Sequence, residues 1–197
     1  MERREFMLRG TAAGVLSAAP FALLAGACQR GGTRAPLHPA AGWGGTVRQA
    51  GEGTPLVSGR RRGLMHVKVD TAEAPGVAMS MVISEVPPGG AIPEHLHQNE
   101  DEIIFLHTGA GLVTLGESSV PSTAGAMLYA PRGVWHGIEN TGSEVITWCA
   151  IWSPAGFEQY FNFKEVGTPP GSGEPAPSAA AVAAAARKYG MIFRDAG

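Results

Sequence analysis

From Leu64 onward the chain breaks into short apolar runs, many of them alternating with polar residues, divided by Gly- and Pro-containing turns. Leu64–Asp70, Val77–Val86, Glu102–His107, Gly111–Leu115, Ala126–Ala130, Gly137–Glu139 and Val145–Ile151 carry the β-branched residues and partial period-two pattern of strands. Pro87-Pro88-Gly89-Gly90 ends the second run. No long amphipathic helix lies between these segments, which excludes a parallel α/β sheet and predicts an antiparallel sandwich or barrel. One helix is predicted near the end. Ser178 is placed to cap Ala179–Tyr189, Arg187 and Lys188 fall in its last turn, and Gly190 follows. With few large apolar residues, this helix is expected to pack peripherally.

The flanks have a different texture. Residues 1–9 include three arginines, and no charge follows until Arg30. The intervening run is small, mildly apolar and interrupted by Pro20, too weak for a membrane span and suited to an export signal. Arg3-Arg4-x-Phe6-Met7 resembles the twin-arginine signal, although Glu2 and Leu8 depart from the usual residues. Ala25-Gly26-Ala27-Cys28 resembles a lipobox, with Leu24 one place early, so Cys28 is the candidate lipidation site; ordinary cleavage after Ala27 leaves the same end. Residues 29–62 read as a tether followed by an edge segment, with Arg60-Arg61-Arg62 as a solvated turn. The resulting division is a signal peptide over 1–27, a tether over 28–62, a folded domain over 63–163, and a Pro/Gly-rich linker with the helix over 164–197. An exported, periplasmic or membrane-anchored protein is expected, touching membrane only through a lipid on Cys28.

Composition narrows the classes. With 197 residues, 15 Lys+Arg against 17 Asp+Glu and only two cysteines, the chain is one domain with appendages. It has neither a basic footprint for nucleic acid nor a disulfide framework. Cys149, within an apolar run, reads as a buried small residue.

Four of the six histidines fall between positions 95 and 136. On a strand, His95 and His97 share one face. Glu102 follows a polar turn, and His136 follows Pro131-Arg132-Gly133. Three imidazoles and one carboxylate suit a divalent first-row metal, with Fe, Mn or Ni foremost and Cu, Co or Zn as alternatives. Four protein ligands on a six-coordinate ion leave two positions open. Glu100 and Asp101 compete with Glu102 for the carboxylate role. His38, His66 and His107 read as structural or surface residues. Trp135, Phe105, Met127, Tyr129, Trp148 and Trp152 are first candidates for core and pocket wall.

The spacing carries a family resemblance. Gly89-x5-His95-x-His97-x4-Glu102-x6-Gly109 and Gly125-x5-Pro131-x-Gly133-x2-His136-x3-Asn140 match the two cupin motifs at their fixed positions. The resemblance covers about residues 64–163. It implies an all-β fold, a single jelly-roll barrel with the metal inside, bound by His95, His97, Glu102 and His136, and a homodimer. Asn140 is expected to hold a turn. Ser153–Phe161 resembles the segment after the barrel in small quercetinase-like bacterial cupins and reads as a turn and short helix covering the barrel end.

Three functions follow. The first is a dioxygenase acting on an enol or phenolic substrate, with Glu102 as the catalytic proton acceptor. The second is a metal-dependent isomerase, decarboxylase or lyase, in which the ion is only a Lewis acid. The third is a module that captures a small ligand without turnover. Twin-arginine export moves folded protein, so cytoplasmic loading of Fe or Mn before Cu or Zn compete is also expected.

Overall fold

Period-two alternation along the chain becomes two facing antiparallel sheets. The computed structural model describes residues 45–58, 63–161 and 166–194. The leader, Cys28, His38 and Arg60–Arg62 lie outside the described residues. One sheet has seven strands in the order β11-β1-β2-β3-β10-β5-β8, and the other has five in the order β12-β4-β9-β6-β7. The strands are β1 (Thr54–Ser58), β2 (Leu64–Val69), β3 (Ser80–Val86), β4 (Ala91–His97), β5 (Asp101–Thr108), β6 (Ala110–Leu115), β7 (Ser118–Thr123), β8 (Met127–Ala130), β9 (His136–Glu139), β10 (Ile146–Ser153), β11 (Gly167–Thr168) and β12 (Met191–Phe193). The expected all-β jelly roll is what forms. β1 pairs with β2 and β11, so the sheet begins before residue 63. β4, β7, β11 and β12 also add to the strands expected from the sequence.

On β3, β5 and β10 the even-numbered residues point inward, placing Val82, Ile104, Leu106, Trp148 and Trp152 in the core with Ile92, Val113 and Ile138. The odd positions face out. Phe105, Met127 and Tyr129 are therefore not core or pocket residues. Cross-strand pairs Phe105–Met127 and Ile103–Tyr129 lie on the outer face, where Met127 is 61% and Tyr129 48% exposed. The same parity turns His107 outward, as expected. Cys149 also faces out and is half-buried rather than buried, with burial pushing its thiol pKa up.

The barrel end is covered as expected by a 3-10 turn, Phe157–Phe161. The terminal helix α1 (Ala179–Lys188) starts at Ser178, whose hydroxyl accepts from the Ala181 amide at 3.2 Å. It is not peripheral. Val182, Ala185 and Ala186 are buried in the same core cluster as Phe157 and Met191. Its small side chains are buried where the helix packs against β12, the strand that follows it. Beyond Gly190 the chain adds β12 to the edge of β4, pairing Met191 with His97 and Phe193 with His95. Among the described residues, no helix is long and apolar enough to cross a membrane.

Two motif residues show why the pattern is needed. Gly109 has φ +79, and a Cβ there would lie 2.9 Å from both the Ile146 Cα and the Val145 carbonyl oxygen. Asn140 is buried and donates to the carbonyls of Val86 (2.8 Å) and Glu144 (2.7 Å) while accepting from the Gly142 amide (3.0 Å). It holds the turn after β9 to the end of β3, as the sequence suggested. Asn140→Ala leaves the buried Val86 carbonyl and the partly buried Glu144 carbonyl without that donor and is expected to cost about 2 kcal/mol. A urea unfolding midpoint shift at unchanged slope measures it.

Candidate metal centre

β4 supplies His95 and His97, β5 supplies Glu102, and the start of β9 supplies His136. Alternation alone does not aim the two β4 imidazoles. Ile92 points inward, so the opposite parity of His95 and His97 would place them outside. The β4–β9 register shifts between Ile92 and His95, a bulge at Pro93-Glu94 that exchanges the faces. Past the bulge, His95 pairs directly with His136 across the ladder. The Pro131–Val134 turn, closed by a 3.1 Å hydrogen bond, carries the chain into β9. The Gly133 amide donates to the His97 carbonyl at 2.7 Å and ties this turn to β4.

All four side chains are buried, and one ligand atom from each lies within 4.8 Å of the others. His95 Nδ1 is 2.8 Å from the Pro93 carbonyl oxygen, and His136 Nδ1 is 2.9 Å from that of Val134. A carbonyl only accepts, so each Nδ1 carries a proton and each Nε2 is left for the interior. Glu102 Oε2 sits 2.7 Å from His136 Nε2 and 3.0 Å from His97 Nε2. An imidazole lone pair facing a carboxylate at that distance is repulsive unless positive charge is shared between them. A divalent cation meets this requirement, and the His/His/Glu/His set fits one.

The closeness of these buried groups shifts their titration. Burial, reinforced by the charges of His136 and His97, holds the His95 imidazole well below its ordinary pKa. Burial opposes charge on His136, yet the hydrogen bond and charge of Glu102 outweigh it and the net shift is upward. Burial would raise Glu102, but hydrogen bonds from His136 and His97 reverse it and hold the carboxyl below its usual range.

The competing carboxylates are elsewhere. Asp101 accepts from the Arg132 backbone amide at 3.1 Å and Nε at 3.0 Å. Glu100 lies behind His97, its Oε2 3.9 Å from Nδ1, and burial raises its carboxyl pKa. Trp152 Nε1 approaches His97 Nε2 to 3.4 Å, and Phe157 meets the His97 ring edge-on at 4.2 Å between centroids. Trp135 is not at the pocket wall; its ring stacks under the Arg194 guanidinium at 5.3 Å.

Beside His95 opens a cavity of about 50 Å³, walled by Phe157, Phe161, Val182, Met191 and Phe193. Three of these come from the C-terminal segment, whose role the sequence reading missed. The continuous apolar run Met191-Ile192-Phe193 after Gly190 is the available signal.

Residues 82–152 match the family model described as a cupin domain. An oxalate-binding protein of Thermotoga maritima is 33% identical over 67 residues, which is 34% of this chain and 55% of that protein. Protein SchB of Streptomyces halstedii is 31% identical over 83 residues, 42% of this chain and 60% of that protein. The chain thus spans little more than half the length of these curated relatives. The crystal structure of a predicted oxalate decarboxylase from T. maritima superposes with a TM-score of 0.50 at 27% identity, over 55% of this chain and 99% of that one. Motif spacing, jelly-roll topology and the family-model match over residues 82–152 converge on a cupin-type fold.

Proposed function

We propose that this protein is an exported metal-dependent cupin that catalyses the dioxygenation of a small enolic or phenolic substrate at the His95, His97, Glu102, His136 centre. The observation that carries the metal reading is the placement of one carboxylate oxygen against the Nε2 atoms of two imidazoles, with the Nδ1 of one of them, His136, committed to the Val134 carbonyl. A redox-active divalent ion there would lower the pKa of a bound substrate hydroxyl and exchange electrons with oxygen. The chain's own residues do the rest. The Pro93 and Val134 carbonyls hold two imidazoles in one tautomer and orientation. Glu102 Oε2, facing the centre, accepts the substrate proton. Phe157 and Trp152 pack against His97 and keep bulk water from that side. Export, and lipidation at Cys28, rest on the leader sequence alone.

The relatives named for oxalate favour a second reading, decarboxylation without oxygen consumption. Metal-loaded protein with a panel of catechols and β-diketones in an oxygen-electrode cell separates the two. Oxygen uptake matching substrate loss supports the dioxygenase. Substrate loss at constant oxygen overturns it in favour of a decarboxylase or lyase, and binding without loss leaves a capture module.

A further inference from the structure

The cavity beside His95 is built largely by chain outside the matched cupin segment. Leu56 comes from β1, Phe157 and Phe161 from the 3-10 turn, Val182 from α1, and Met191 and Phe193 from the segment through β12. The C-terminal piece is fastened. The Arg194 amide donates to the Glu94 carbonyl at 2.9 Å, and its guanidinium pairs with Glu94 at 2.7 Å and with Glu117. The Phe193 ring stands 6.2 Å from that of His95, so the apolar wall directly abuts a ligand of the centre.

Two physical quantities restrict what enters. A cavity of about 50 Å³ holds roughly three to five waters, at ~10–15 Å³ each, the space of a single ring or a short branched chain. Among the described residues, no Lys, Arg, Asp or Glu lines it. Charge sets the second limit. A divalent ion with neutral imidazoles and ionised Glu102 carries one net positive charge. A singly charged ligand brings this buried site to neutrality. Oxalate, named in the Thermotoga relative, carries two charges and would leave one negative charge uncompensated in a mostly apolar lining whose polar side chains are His95, Ser58 and Tyr160, which is costly.

We propose that the pocket takes a bidentate oxygen chelator of single negative charge bearing one ring-sized apolar group, and discriminates against small dianions. This deepens the metal-centre reading and rests on it. Val182 and Met191, supplied by the C-terminal segment, are then specificity-determining residues, and the apolar group lies against them while the chelating oxygens face the centre.

The test keeps one chelating head and varies its substituent. Full-length protein loaded with cobalt(II) is titrated with mandelate (phenyl), lactate (methyl) and tartronate (a second carboxylate), following the visible cobalt bands. Mandelate is expected to bind at least about tenfold more tightly than lactate, from burial of the ring, and tartronate most weakly. Val182→Phe fills the cavity and is expected to erase the advantage of mandelate over lactate while cobalt uptake persists. Met191→Ala widens it and is expected to preserve that advantage. Because the ligand series is read on the unaltered chain, the test does not depend on either variant folding. Lactate or tartronate binding as tightly as mandelate overturns the inference and leaves the metal centre standing. Cobalt uptake with no response to any of the three ligands also overturns it. Failure to take up cobalt at all removes the metal reading and the inference together.

Discussion

Full-length protein carrying His95→Ala and His97→Ala is expected to lose stoichiometric metal. Each substitution removes an Nε2 donor from a four-atom cluster whose ligand atoms lie within 4.8 Å of one another. Partners that merely orient ligands change metal affinity by about 10–100-fold, so removing two of the donors themselves should exceed a 100-fold loss. The measurement is metal content by mass spectrometry beside the unaltered protein, with circular dichroism to verify the fold. Glu102→Gln supplies a gentler comparison. It keeps the side-chain shape and hydrogen-bonding reach but removes the charge that brings the ion and three neutral imidazoles toward neutrality. It is expected to weaken metal binding without opening a cavity. Equal metal content in all three proteins would show that the ion is held elsewhere and would sink the assignment of the centre.

Deleting residues 178–194 is expected to leave a chain that does not unfold cooperatively near the temperature of the full protein. The segment contributes Val182, Ala185, Ala186 and Met191 to the buried cluster. Burial of that apolar surface is worth on the order of 5 kcal/mol at ~25 cal/mol per Å². Native stability totals only about 5–15 kcal/mol, so the loss is most of the margin. Deletion also strips β12 from β4 and exposes the edge that carries His95 and His97. Soluble yield and thermal unfolding measure the effect. Melting within about 2 °C of the full chain would show that the segment does not close the barrel end.

Much of the centre was legible because its spacing is local. His95 and His97 are two apart, which places them on one face of any strand. The glycine of the turn at Gly109 and the buried amide of Asn140 likewise occupy positions that their chemistry alone requires. The parity that turns His107 outward applies equally to Phe105, and along β8 to Met127 and Tyr129. Their aromatic and apolar character suggested core, while strand alternation placed them outside. Composition was the poorer guide there because an antiparallel sheet leaves many apolar atoms on its outer face.

The C-terminal segment was the larger omission. An alanine-rich helix looks peripheral when judged by side-chain volume, yet Val182, Ala185 and Ala186 are buried in the core cluster. Nothing local indicates that Met191–Phe193 will pair with a strand nearly a hundred residues earlier, or that Arg194 will reach Glu94. The sequence by itself determined the strand-rich class, the motif turns, and the set of three imidazoles and one carboxylate, because alternation and turn chemistry act over a few residues. Only the tertiary structure decided that a bulge at Pro93-Glu94 turns the histidines inward and that a distant helix and strand wall the pocket. Those outcomes depend on register between strands and on contacts across the fold, where the energy is set by which surfaces meet and not by the order of residues along either one.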